Sequence, residues 1–172
     1  MKRLVRKFNI LRCLAFILAT LLICVTFSFS GVSAAQDSGK LGKMKWSFSG
    51  GTLEIVGKGE MPDFTEQDMA PWNKYNTQIR RIDIDDRITY IGKLAFCDCS
   101  AVIAVELSDK VKTIGDMAFA GCSSMESITM PKIETLGEYA FSRCFKLDGV
   151  ILPATLKKIG ACSFYRCESL SL

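Results

Sequence analysis

Six cysteines, a run of aspartates and one glycine–lysine–glycine triplet are the residues of this chain whose types could carry chemistry. Cys97, Cys99, Cys122, Cys144, Cys162 and Cys167 lie beyond an N-terminal apolar segment that holds the other two, Cys13 and Cys24. An even number of thiols in an exported chain suggests disulfides, and thiolates gathered at one point would suggest zinc or nucleophilic catalysis. The chain has no histidine. That excludes serine or cysteine mechanisms built on an imidazole base, and every histidine-ligated metal site. Asp83, Asp85 and Asp86 crowd together, but a calcium loop needs further oxygen ligands at ordered spacing and a turn glycine. None follows, so a solvated sheet edge is expected there. Gly57-Lys58-Gly59 lacks the glycine spacing and the following Ser/Thr of a phosphate loop and is dismissed.

The spacing of the cysteines decides what they can do. Four segments run in parallel: Ile91-Gly92…Ala95-Phe96…Cys99, Ile114-Gly115…Ala118-Phe119…Cys122, Leu136-Gly137…Ala140-Phe141…Cys144 and Ile159-Gly160…Ser163-Phe164…Cys167. Their glycines are 23, 22 and 23 residues apart. A fixed period of this size marks a solenoid, in which each unit buries its apolar face only against its neighbours. Cys99, Cys122, Cys144 and Cys167 then occupy one repeat position, and their side chains point the same way. Coils sit about 5 Å apart near a sheet, whereas a bridge needs facing Cβ atoms about 3.8 Å apart. A buried ladder of free thiols is therefore expected. Cys97 and Cys162 break the pattern and are the thiols more open to bridging or reaction. No Cys-x-x-Cys pair is present, and ladder thiols do not converge, so zinc is not expected.

Other positions repeat as regularly. Val102, Met125, Leu147 and Leu170 follow each ladder cysteine by three residues. The triplets Val105-Glu106-Leu107, Ile128-Thr129-Met130 and Val150-Ile151-Leu152 alternate in and out, and Ile82-Asp83-Ile84 fits the same register one period earlier. Each reads as a short strand with one face buried, stacked at one strand per coil into a parallel sheet. The constant offset of Phe96, Phe119, Phe141 and Phe164 from the glycines predicts a core spine rather than a ligand-stacking site. The glycines hold either a special backbone conformation or a close approach. The outward residues Asp83, Glu106, Thr129 and Ile151, flanked by Arg81, Ala104, Ser127 and Gly149, form the candidate partner-binding face. Repeat proteins use such extended sheet surfaces for recognition. Four strands alone bury too little for a standard interface of about 800 Å² per partner.

This unit resembles the BspA-like leucine-rich repeat family, strongly so from Ile82 to Leu172, in the residues just named and in Pro131 and Pro153 after two strands. The resemblance implies a curved solenoid at the cell surface or secreted, engaged in adhesion or protein binding, without catalysis or cofactor. The fold class expected is a β-rich leucine-rich repeat solenoid: a parallel strand ladder with short helical or irregular turns, a β-hairpin cap at the N-terminal end and an uncapped C-terminal end.

The remaining segments read as follows. Residues 1–34 have a basic start (Lys2, Arg3, Arg6, Lys7, Arg12), an uncharged run to Ala35 and the small-residue site Val32-Ser33-Ala34. That is a secretory signal peptide, with an uncleaved membrane anchor as the alternative, since the run is long enough to span a bilayer. The formal charge of +4 belongs to this leader, which carries five of the 22 basic residues and none of the 18 acids. The rest holds 17 basic residues against those 18 acids, so nothing favours nucleic acid. Residues 35–43 are small and polar, expected as a flexible leader. Residues 44–80 form the cap segment: Trp46, Phe48, Leu53 and Ile55 alternate around Gly50-Gly51 as a hairpin with a primed turn. Gly57, Gly59 and Pro71-Trp72 match the openings of family members. Residues 81–172 are the repeats, the last one incomplete, which suggests a fragment of a longer frame or an exposed edge prone to self-association. The function expected is non-enzymatic binding of a protein or host-surface ligand. The alternative is a stalk, or an accessory region of a larger surface protein or surface hydrolase.

Overall fold

Glycines at the only two residues of a tight turn let the chain begin as a hairpin. In the computed structural model, which describes residues 36–170, Gly50 and Gly51 both take positive φ (59° and 84°), the requirement of a primed two-residue turn. Along the chain the strands are β1 (Asp37–Leu41), β2 (Met44–Ser49), β3 (Thr52–Val56), β4 (Gly59–Glu60), β5 (Arg81–Ile84), β6 (Ile88–Ile91), β7 (Ala104–Glu106), β8 (Thr113–Ile114), β9 (Ser127–Thr129), β10 (Thr135–Leu136), β11 (Gly149–Val150) and β12 (Lys158–Ile159). A single 3₁₀ turn, Asn73–Tyr75, is the one helical element among the described residues. The signal segment expected over 1–34 lies outside them.

The hairpin β2–β3 is antiparallel, and β3 then pairs in parallel with β5, Leu53 against Ile82. The cap is thus continuous with the first repeat strand. Its inward residues Trp46, Phe48, Leu53 and Ile55 are buried. The leader expected to be flexible is instead ordered: Asp37–Leu41 forms β1, antiparallel to β2. What holds it is side-chain chemistry that small polar residues do not advertise. The Asp37 carboxylate accepts a hydrogen bond from Tyr75 Oη at 2.8 Å and meets Lys74 Nζ at 2.5 Å, while the Tyr75 ring stacks on Phe48.

The repeats carry two parallel ladders, not the single one expected. β7, β9 and β11 form the first, and β4, β6, β8, β10 and β12 form a second in that spatial order. The second is the Ile-Gly step of each repeat, too short to show alternation. A third side is sewn by main-chain bonds between coils, Phe96 N to Ala118 O at 2.8 Å and Phe119 N to Ala140 O at 2.9 Å. To make these bonds the chain turns left-handed at Leu94, Met117, Tyr139 and Cys162, with φ between 53° and 57°. The bonds offset a conformation that L-residues otherwise avoid.

Between the ladders lies the core. Phe96, Phe119, Phe141 and Phe164 stack face to face with centroids 5.2, 5.6 and 5.4 Å apart. Trp72 heads the column, 5.9 Å from Phe96, its indole N–H donating to Ala95 O at 2.7 Å. Gly92, Gly115, Gly137 and Gly160 do not have positive φ. They are glycine because coils touch there: a Cβ on Gly137 would stand 2.5 Å from Asp116 N. Packing loosens at the last coil. Ile159 is 49% exposed where Ile91, Ile114 and Leu136 are 0%, and Leu152 is 46% exposed where Met130 is 2%.

Candidate functional site

In-out alternation places Glu106 and Thr129 on the outward face of the first ladder, Asp83 on the outward side of the neighbouring β5, and Ile151 immediately after β11. Glu106 and Thr129 are exposed, Asp83 is half-buried and Ile151 is 83% exposed. The pairing of Ala104 with Ser127, Val105 with Ile128 and Glu106 with Thr129 sets Glu106 and Thr129 side by side, and Val150 against Ile128 carries the row on towards Ile151. That row does not stop at Asp83. The β3–β5 register sets Glu54 beside Asp83, and the hairpin registers add Ser47 beside Glu54 and Ser38 beside Ser47. The face therefore spans seven strands, not four. Its N-terminal part was missed because Leu53 precedes Ile82 by 29 residues rather than 22 or 23, so the repeat period does not reach it. The in-out phase of Thr52-Leu53-Glu54 was the available signal.

An open cleft of about 540 Å³ lies on this face between β5 and β7, lined chiefly by Arg80, Arg81, Asp83, Ile103, Ala104 and Glu106. Here the ladder is interrupted. β5 ends one sheet and β7 begins the next, and no main-chain hydrogen bond joins 81–84 to 104–106. The two coils stay attached elsewhere, through the β6–β8 pairing and Leu94 N to Asp116 O. Arg81 Nε binds Asp83 Oδ1 at 2.6 Å, and this hydrogen bond, with Glu106 adding attraction, raises the guanidinium pKa further. Glu54 accepts only the Ser47 hydroxyl, at 3.3 Å. Neither Glu54 nor Glu106 pairs with a cation among the described residues.

The thiols are elsewhere, inside the solenoid. Cys99, Cys122 and Cys144 are buried, Cys167 and Cys97 are half-buried, Cys162 is exposed, and all six are free. Three of the four ladder thiols donate to the phenylalanine carbonyl of the preceding coil: Cys122 to Phe96, Cys144 to Phe119 and Cys167 to Phe141, at 3.3, 3.2 and 3.1 Å. Parallel donors aimed at carbonyls do not face one another. Burial pushes Cys99 and Cys144 up to about 12 and Cys97 to about 11, so these thiols resist forming the thiolate a nucleophile or metal ligand needs. Among the described residues no three His, Cys, Asp or Glu side chains are grouped to hold a metal ion. Asp85 is occupied locally, bound by Arg87 through Nε and Nη2 and by Gly57 N.

The arrangement offers a broad, mixed-charge sheet face. Similar solved structures carry the same fold. A leucine-rich repeat protein from Eubacterium ventriosum is 30% identical with a TM-score of 0.67, covering 77% of this chain and 36% of that one. A T. pallidum leucine-rich repeat protein is 25% identical with a TM-score of 0.57, covering 78% of this chain and 70% of that one. A Bacteroides ovatus leucine-rich repeat protein shares the fold at 24% identity and a TM-score of 0.55, over 77% of this chain and 40% of that one. The chain spans about a third of the length of the first of these. No curated protein matches. The model of the BspA type leucine rich repeat region matches residues 74–172 in six copies, and on that match the chain belongs to the BspA-type leucine-rich repeat family.

Proposed function

We propose that this is an exported, non-enzymatic leucine-rich repeat domain that holds a protein partner at the cell surface through the outward face of its first ladder. The residues are Asp83, Glu106, Thr129 and Ile151, extended over the hairpin by Glu54 and Ser47. The observation that carries the reading is the width of that face. Seven strands at about 4.8 Å spacing give about 29 Å, against about 14 Å for four. The wider face approaches the footprint of a standard interface. Chemistry along it changes from charged at β3, β5 and β7 to neutral at Thr129 and apolar at Ile151, so a partner would be held in one direction only. A basic N-terminal leader supports export, and an uncleaved leader would add a membrane tether. A stalk or accessory role within a longer surface protein is the second reading, favoured by the uninterrupted phenylalanine column and by the small share of the Eubacterium relative that the chain covers.

The test is steric. Ser127→Trp with Thr129→Trp fills the face without changing charge or touching the core. Binding of the full chain to an array of purified extracellular proteins, read by surface plasmon resonance, should be lost in this double variant. Wild-type binding that survives it places recognition elsewhere. A chain that binds nothing, within a longer protein that does, favours the stalk.

A further inference from the structure

We propose that the seam between β5 and β7 is a joint that closes by main-chain pairing and so changes the spacing of the outward face. Among the described residues, the recurring bond of this side of the solenoid fails at one boundary. Arg80 N donates to Gly51 O at 2.8 Å, Glu126 N to Ile103 O at 2.7 Å and Gly149 N to Glu126 O at 3.1 Å. The corresponding step, from Ile103 N or Ala104 N to Arg80 O, is not made. In a parallel ladder alternate residues bond to opposite neighbours. Arg81 N and Asp85 N go to Gly51 O and Ile55 O of the cap, and Leu107 N goes to Thr129 O of the next coil. That leaves Ile82 and Ile84 on one edge facing Ala104 and Glu106 on the other. Each edge carries N–H and C=O groups alike, so its best match is the opposite edge, in the parallel register that β7 and β9 keep.

The surroundings make this seam a hinge. The other two sides of the same boundary are bonded, Gly115 N to Ile91 O at 2.8 Å on one and Leu94 N to Asp116 O at 3.0 Å and Phe96 N to Ala118 O at 2.8 Å on the other. Ser108 Oγ ties the corner to Asp86 O at 3.1 Å. Beneath the seam Ile82 and Val105 stay buried, at 4% and 2% exposure, so the core keeps its packing while the surface opens. The cleft of about 540 Å³ is the room into which the strands close. Closure sets Arg81 beside Ala104 and Asp83 beside Glu106 at ladder spacing, about 4.8 Å. Two carboxylates side by side disfavour pairing, which Arg81, bound to Asp83 at 2.6 Å and drawn to Glu106 as well, offsets. Neither state wins by much. Glu54 and Asp83 move with the cap, Glu106 and Thr129 with the coils beyond, so a partner touching both halves selects one state.

NMR relaxation dispersion on the full chain reads the joint without any partner, so its failure and the failure of the binding face are separate results. Exchange on the microsecond-to-millisecond scale of hinge motions should appear at the amides of Ile82, Ile84, Ala104 and Glu106. It should be absent at Leu107, Glu126 and Gly149, whose bonds cross intact boundaries. Ala104→Pro removes a donor that only closure uses, so exchange at Ile82 and Ile84 should vanish while Tm stays within about 4 °C of wild type. Ser127→Pro, the matching position at the paired β7–β9 boundary, should lower Tm by about 10 °C. Flat dispersion at the four seam amides of the wild-type chain overturns the proposal. So does exchange that persists in Ala104→Pro, or a loss of stability in Ala104→Pro equal to that in Ser127→Pro.

Discussion

Replacing Gly137 by alanine should destabilise the protein far more than replacing Gly59, although Gly59 is the glycine in a left-handed conformation. Gly59 has φ of 86°, and nothing lies within 4 Å of where its Cβ would stand. Alanine there meets only the left-handed penalty, about 1 kcal/mol. At Gly137 a Cβ would lie 2.5 Å from Asp116 N and from Gly115 C, both main chain. Ordinary contact begins near 3.4 Å, so the coils must part by roughly 0.9 Å. Across that gap Gly137 N donates to Ile114 O at 2.8 Å and Met117 N to Glu138 O at 2.9 Å, and adding that shift stretches such bonds beyond useful length. Losing about two of them costs about 2 kcal/mol, and overpacking adds about 1–3 kcal/mol. The expected total is about 3–5 kcal/mol, a fall in Tm of roughly 10–20 °C for a domain of this size. Urea unfolding followed by circular dichroism measures both variants. Equal losses for Gly59→Ala and Gly137→Ala, within about 0.5 kcal/mol, would refute the close-approach reasoning.

Further outcomes follow from the core. Phe119→Ala should cost about 3–5 kcal/mol, since Phe119 is fully buried between two stacked rings. Phe164→Ala should cost clearly less, because Phe164 is only partly buried; equal costs in chemical denaturation contradict this account. Iodoacetamide under native conditions should modify Cys162 first and leave Cys99, Cys122 and Cys144 untouched until denaturant is added, as their exposure dictates. Peptide mass spectrometry reads this, and a disulfide among the ladder thiols would be a direct contradiction. Burial raises the thiols of Cys99 and Cys144 from 9.0 to about 12. A raised folded pKa gives stability that is complete below the unfolded value and is lost as pH climbs towards the folded one. Tm should therefore be level near neutrality and fall above about pH 9. The Cys99→Ala/Cys144→Ala variant should show a shallower alkaline fall, and an unchanged slope rules the thiols out as its cause.

Legibility in the sequence followed repetition. The phenylalanine column, the thiol ladder and the repeat strands were readable because each recurs at one offset, and a coil that packs on its own copies must present the same residue at the same place. The second ladder was not readable. Two-residue strands such as Thr113–Ile114 are shorter than one period of alternation, and their pairing is set by coil stacking. β1 was hidden for another reason. Its stability comes from Tyr75 and Lys74, more than thirty positions away along the chain, and local composition is blind to such partners.

The sequence by itself determined the architecture, the free state expected of the aligned thiols and the row running from Asp83 to Ile151, because periodicity converts directly into stacking. It also barred imidazole chemistry through its lack of histidine. Only the tertiary structure decided that the repeat glycines answer to contact rather than to backbone angle, that the cap extends the face from four strands to seven, and that the ladder opens between β5 and β7. Each of these depends on distances between atoms that are remote in sequence, and no spacing along the chain encodes them.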